Sequence, residues 1–167
     1  MVNALEHAWA LLEQVPDPEI PVLSIRELGI LREVNERNGA IEVVLTPTYS
    51  GCPAIGQIEA DVRIAMTAHP MHVDVVTRLA PAWTTDWIGA AAREKLRAYG
   101  IAPPHPAQGP ARVIQFQVRN TDAAEQVACP RCGSADTTET SHFGSTACKA
   151  LYRCLACMEP FDHFKAY

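Results

Sequence analysis

Leu5, Ala8, Trp9 and Leu12 recur at helical spacing, which predicts a helix over residues 3–14. The segment Val15-Pro-Asp-Pro-Glu-Ile-Pro21 cannot continue that helix, because its three prolines lack amide donors and fix φ, so a rigid loop follows. Ser24 can cap a short turn that Gly29 ends. Two β-prone runs, 30–36 and 40–46, flank Asn38-Gly39, the strongest short-range hairpin signal. Ile41, Val43 and Leu45 alternate with Glu42 and Val44, so one face of the second strand is expected to be core. Pro53 is placed to start a helix that Ile55, Ile58, Val62, Ala65 and Met66 continue to residue 68. Val73, Val75, Thr77 and Leu79 alternate as a strand. Thr84, Thr85 or Asp86 can cap a further helix running to Tyr99, with Gly100 as its stop. The order α-β-β-α-β-α predicts a small mixed α/β (α+β) domain over residues 1–102, with helices on one face of a short sheet.

Residues 103–124 read as a Pro-rich linker and one strand, in which Ile114, Phe116 and Val118 alternate. From residue 125 the long apolar periodicities disappear and five of the six cysteines fall between 129 and 157. A tail of that size cannot bury an adequate core and needs a staple. The 167 residues are 48% apolar and 20% charged with a mean hydropathy of −0.03, a globular composition with no run of bilayer-spanning length. Met1–Leu12 carries Glu6, His7 and Trp9 and does not read as a secretory signal, so a cytoplasmic location is expected. The net charge of −5 argues against a nucleic-acid partner.

Cys129-Pro-Arg-Cys132 and Cys154-Leu-Ala-Cys157 are two C-x2-C pairs separated by 21 residues. Each pair can direct two thiolates at one tetrahedral ion, and residues 137–143 and 148–153 can form a hairpin between them. A structural Zn2+ on these four cysteines is expected. Mononuclear iron fits the same ligand set, whereas two disulfides do not suit a reducing compartment. From residue 125 the charged residues are four cations against five acids, which does not suit nucleic acid. Phe143, Tyr152, Phe161 and Phe164 are read as a miniature core or a docking surface, His142 as a turn residue and Cys148 as a small buried thiol.

Cys52 follows Gly51 at the expected start of the 53–68 helix, where unpaired amides and the helix dipole would stabilise a thiolate. Reactive or metal-binding chemistry and inert filler both remain open for it, and its thiol is expected to outpace Cys148 in alkylation. Asp17 and Glu19 flank Pro18 and could ligate a metal, act as acid and base, or form a locked turn. The sequence has no Glu-x-x-His pairs of a di-iron bundle, no Gly-rich dinucleotide fingerprint and no plant-type ferredoxin cysteine run.

Asp17-Pro-Glu-Ile-Pro21, Leu28-Gly-Ile30, the Thr46 to Cys52-Pro53 loop and Pro81-Ala-Trp83 together resemble the small α/β domain of the iron–sulfur cluster assembly factors. The resemblance covers roughly residues 1–100. It implies that Cys52 is the functional cysteine, with Asp17 and Glu19 in an acidic loop and Trp83 with Thr84 in an aromatic loop. It also implies transient handling of iron or an iron–sulfur cluster at Cys52. Trp83-Thr-Thr-Asp-Trp-Ile88, Lys95 to Pro104, and Phe143 to Cys154 followed by Glu159-Pro-Phe161 extend the resemblance to a family of accessory proteins in aerobic phenylacetate degradation. That resemblance implies a non-catalytic maturation factor. It would assist iron or cluster loading of the oxygenase or reductase subunit of a multicomponent monooxygenase that epoxidises phenylacetyl-CoA. A stable docking subunit with Cys52 incidental, and an iron–thiolate electron carrier, are the alternatives. No membrane partner is expected, and a homodimer is left open.

Overall fold

The computed structural model describes residues 3–105 and 126–166. The chain forms two compact units, one of residues 1–96 and one of residues 97–166. Their division precedes the boundary expected at residue 102. The expected strand with Ile114, Phe116 and Val118, and residues 106–124 of the expected linker segment, lie outside the described residues.

In the first unit, helix α1 spans Ala4–Leu12 and is closed by a capping box between Asn3 and Glu6. Ala8 and Leu12 form its buried face, while Trp9 is half-buried beneath the guanidinium of Arg26, 4.6 Å from the ring centroid. Strands β1 (Leu31–Arg37) and β2 (Ala40–Leu45) pair antiparallel, and β3 (His72–Thr77) lies parallel to β2 in the order β1-β2-β3. The hairpin turn has Asn38 at φ 52° and Gly39 at φ 78°, both left-handed as a type I′ turn demands. Helix α2 covers Ile55–Ala65 and continues as a 3-10 turn over Met66–Ala68. Helices α1 and α2 pack on one another, α1 against β1 and α2 against β3.

Two helix starts differ from expectation. Residue 53 lies in a turn, α2 begins at Ile55, and Ala54 is its N-cap without a side-chain cap. Thr84 caps only a 3-10 turn, Thr85–Trp87, and α3 begins at Ala90. The Arg93 guanidinium explains that interruption, because it donates to the carbonyl oxygens of Ile88 and Thr85 and holds the preceding residues in their own turn. Strand β2 also departs from simple alternation: Val44 is as buried as its neighbours, because β2 is the central strand and both its faces are covered.

In the second unit, the end of α3 (Ala90–Tyr99) leads into the two-residue strand β4 (Ile101–Ala102). Strands β5 (Thr137–Ser141), β6 (Lys149–Cys154) and β7 (Pro160–Phe164) complete a sheet in the order β4-β7-β6-β5. The expected hairpin is therefore β5–β6, to which β7 adds antiparallel and β4 parallel. Ala102, Val127, Cys129, Cys154 and Phe161 form the buried cluster of this unit. The fold is thus a small α/β domain with a short mixed sheet, followed by a β-ribbon.

Candidate functional site

The two C-x2-C turns bring their sulfurs together. The Sγ atoms of Cys129, Cys132, Cys154 and Cys157 lie within 4.8 Å of one another. Cys129 Sγ is 3.8 Å from Cys157 Sγ, and Cys132 Sγ is 3.6 Å from Cys154 Sγ. A tetrahedral zinc with Zn–S bonds of about 2.3 Å sets sulfur–sulfur edges of about 3.8 Å, so the quartet fits such an ion. Strand β6 supplies Cys154, and the turn after it supplies Cys157.

Protonation separates these thiols. The backbone N–H of Cys157, chiefly, brings Cys154 down to about 7. Cys157 is pushed up to about 12: the Glu159 backbone N–H favours its thiolate, but burial and three neighbouring sulfurs outweigh that amide. Four thiolates at these separations repel strongly, and a cation relieves the repulsion. The quartet is a metal-binding group. His142 is exposed and points its Nδ1 toward Glu139, while Cys148 is buried 3.0 Å from the Thr146 hydroxyl. Neither belongs to the quartet.

The second site lies in the first unit. The acidic loop is locked, as Asp17 Oδ1 accepts from the backbone amides of Glu19 at 2.9 Å and Ile20 at 2.8 Å. Asp17 is buried with 4% of its surface exposed, and the loop closes through a bridge between Pro16 and Ser24. Ser24 and Glu27 then form a reciprocal cap, with Ser24 Oγ accepting from Glu27 N and the Glu27 carboxylate accepting from Ser24 N. Gly29 ends that turn at φ 77°, where a Cβ would meet the Trp87 Cβ at 2.8 Å; only glycine suits both constraints.

Cys52 is buried beside this loop, within electrostatic reach of Glu19 and Asp17. Its sulfur is hydrogen-bonded by the Ala54 amide and by the Thr48 hydroxyl. The expected thiolate stabilisation is present in that Ala54 amide, but it loses. Burial pushes the Cys52 thiol up, and the charges of Glu19 and Asp17 push it further. Cys52 also sits two residues before the N-cap of α2 rather than at its first turn. Its heightened reactivity at neutral pH is therefore not supported. Thr48 is a contact that sequence reasoning missed; it stands four residues before Cys52 in a Pro-rich loop with no periodic signal.

Trp83 and Thr84 are placed differently from the acidic pair. The Trp83 indole N–H donates to the Leu28 carbonyl oxygen at 3.1 Å, and Thr84 Oγ1 accepts from the Asp86 amide at 3.4 Å. The aromatic loop is thus tied to the turn that follows the acidic loop.

Comparison with known proteins agrees with this division. Residues 5–77 match the family described as iron-sulfur cluster assembly protein, and residues 114–165 match the PaaD zinc beta ribbon domain. The chain is 51% identical over 158 residues to a putative subunit of the 1,2-phenylacetyl-CoA epoxidase of Escherichia coli (strain K12), covering 94% of this chain and 90% of that protein. It is 33% identical over 84 residues to the Fe-S protein maturation auxiliary factor YitW of Bacillus subtilis (strain 168), covering 48% of this chain and 81% of that protein. A crystal structure of a domain of unknown function, DUF59, from Bacillus anthracis superposes with a TM-score of 0.51 at 28% identity, over 56% of this chain and 91% of that one. Among the described residues no helix is long and apolar enough to cross a membrane. By the extent of these matches, the chain belongs to the PaaD family of 1,2-phenylacetyl-CoA epoxidase subunits, with an iron–sulfur-assembly domain followed by a zinc ribbon.

Proposed function

We propose that this chain is an accessory maturation factor that helps load iron, or an iron–sulfur cluster, into the oxygenase or reductase subunit of a phenylacetyl-CoA-epoxidising system. Membership of the PaaD family supports an accessory role in phenylacetate catabolism, and the relation to an Fe-S protein maturation auxiliary factor supports the loading step. The observation that carries the reading is the setting of Cys52. A thiol held by Thr48 and the Ala54 amide faces the charges of Glu19 and Asp17. An arriving iron would exchange with the thiol proton, which leaves to solvent, and the cation would relieve the repulsion that keeps the thiol protonated. Iron is here the cargo. Zinc on Cys129, Cys132, Cys154 and Cys157 is structural and folds the ribbon.

The test is partner iron content. Oxygenase and reductase produced with the wild-type chain should be iron-replete. Those produced with Cys52→Ser should be iron-poor, because a serine hydroxyl is a far weaker iron ligand than a thiolate. Equal iron in both preparations would sink the loading role of Cys52.

One observation favours a second reading. Burial of the Cys52 thiol suits an inert residue, and the chain would then be a stable docking subunit. Epoxidation by fully loaded partners separates the two: a maturation factor is dispensable at that stage, and a working subunit is not. An iron–thiolate electron carrier would purify coloured, whereas a zinc protein is colourless.

A further inference from the structure

Of the ribbon's aromatics, Phe161 and Phe164 are buried and Tyr152 is half-buried against Phe161, with 5.8 Å between ring centroids. Phe143 is the exception, with 63% of its surface exposed. An exposed phenylalanine on a floppy loop would need no explanation, but this one is held. Ser141 Oγ donates to the Phe143 carbonyl oxygen at 2.7 Å and lies 3.3 Å from the Phe143 amide as its acceptor. The next residue is pinned too, because the Gly144 amide donates to the Lys149 carbonyl oxygen at 2.8 Å. The His142 ring meets Phe143 edge-on, with 5.0 Å between centroids.

Lys165 completes the feature. Its Nζ lies 4.6 Å from the Phe143 ring centroid and donates to the His142 carbonyl oxygen at 3.2 Å. It forms no ion pair with a carboxylate among the described residues. A cation over an aromatic face is favourable, and it leaves the ammonium's remaining donors for an incoming anion.

We propose that Phe143 and Lys165 are the docking anchor by which the ribbon grips a partner protein. The partner surface that fits is an apolar socket for the ring, bordered by an Asp or Glu carboxylate for the ammonium. A rigid aromatic beside a cation is the composition of an interface hot spot, and its ordering cost is already met by the Ser141 and Gly144 hydrogen bonds. Charge chooses protein over nucleic acid. Four cations against five acids from residue 125 leave no basic track beside the ring for a phosphate backbone. The identity of the partner, an oxygenase or reductase subunit, rests on the maturation reading above.

The experiment is titration calorimetry of the full-length, zinc-loaded chain against each purified subunit, with a single-stranded 20-mer oligonucleotide as a third titrant. Phe143→Ala should weaken binding to one subunit about 30-fold or more, as removal of a hot-spot aromatic does. Phe143→Tyr, which keeps the ring, should stay within a few-fold of wild type. Lys165→Glu should weaken binding and abolish its sensitivity to a carboxylate in the socket. Circular dichroism and zinc content should match wild type in each variant. Cys52→Ser should bind normally even where it fails to load iron, so that docking and loading fail separately. Phe143→Ala binding within two-fold of wild type would overturn the anchor and leave the maturation reading standing. Wild type binding neither subunit would overturn the anchor as well, while partner iron content would still judge the loading role. Phe143-dependent binding to the oligonucleotide alone would overturn the assignment to a protein partner.

Discussion

Trp83 donates its indole N–H to the Leu28 carbonyl oxygen across 55 positions of sequence, at 3.1 Å in a buried setting. This bond fastens the Pro81–Trp87 loop to the Ser24–Gly29 turn and so braces the acidic loop that ends at Pro21. Trp83→Phe keeps an aromatic in place but leaves the buried carbonyl without that donor. The expected loss is about 1–2 kcal/mol of stability in the first unit, the usual cost of an unsatisfied buried group. Urea denaturation of wild type and variant measures it, and an unchanged midpoint would mean that the loops are held by packing alone.

Chelation should act on the ribbon. Its buried cluster is five residues, two of them cysteines of the quartet, so little remains to hold the sheet once the sulfurs are released. A strong chelator should unprotect the amides of β5, β6 and β7 to hydrogen exchange while those of β1 and β2 stay protected. Protection in β6 that survives complete metal removal would show that the apolar cluster suffices.

Boundaries carry a related expectation. Ala102 belongs to the cluster formed by Cys129, Cys154 and Phe161, and the Arg131 guanidinium, in the first C-x2-C turn, lies against Gly100. A ribbon fragment starting at residue 97 should therefore fold with zinc, whereas one starting at residue 125 should be markedly less stable. Equal melting temperatures for the two zinc-loaded fragments would make β4 dispensable.

Local rules made much of this legible. Asn38-Gly39 fixed the hairpin through its backbone geometry, Ser24 and Gly29 bounded their turn, and the C-x2-C spacing announced the sulfur quartet. Features that depend on distant partners were invisible. Ile101-Ala102 is a strand only because β7 lies alongside it in parallel register, with Ala102 opposite His163. The start of α3 was misplaced because Arg93 satisfies carbonyls five and eight residues earlier, and no propensity scale contains that interaction. The dipole argument at Cys52 named a real contribution, but burial, the larger effect, is set by tertiary packing.

His163 gives the ribbon an acid-sensitive component. Burial, followed by the charge of His105, pushes it down to about 4 from an ordinary 6.5, with Glu139 acting weakly the other way. Between those values the unfolded chain binds a proton that the folded chain refuses, so stability falls as pH drops from about 6.5 to about 4. The contribution lost is up to about 3 kcal/mol. Thiolate protonation at the metal also weakens the ribbon in acid, so the discriminating measurement compares slopes. His163→Gln should melt with a shallower dependence on pH than wild type over that window. Identical slopes would assign acid sensitivity to the cysteines alone.

The last expectation concerns the charge around Cys52. Burial and the Glu19 and Asp17 carboxylates hold its pKa above the ordinary 9.0, so fewer than about one thiol in a hundred is ionised at pH 7. Iodoacetamide should therefore modify Cys52 in the folded, zinc-loaded protein more slowly than in the unfolded chain, with the rate climbing only above pH 9. Burial is the larger cause and survives any change of charge, so removing one carboxylate should recover only part of the shift. Glu19→Gln should raise the alkylation rate at pH 8 by about two- to five-fold, the scale of a partly screened charge. Glu19 is the better choice than Asp17, whose carboxylate also holds two backbone amides and whose replacement would loosen the loop. Peptide-level mass spectrometry reads the label at Cys52 apart from Cys148. Ferrous iron added before the reagent should protect Cys52 in wild type and do so less well in Glu19→Gln, because the same carboxylate that suppresses the thiolate attracts the cation. A variant that alkylates faster yet is protected as well as wild type would leave the carboxylate acting on the proton alone. A variant with an unchanged rate would mean that the Glu19 charge does not reach the sulfur, and the electrostatic basis for iron capture at this site would fall with it.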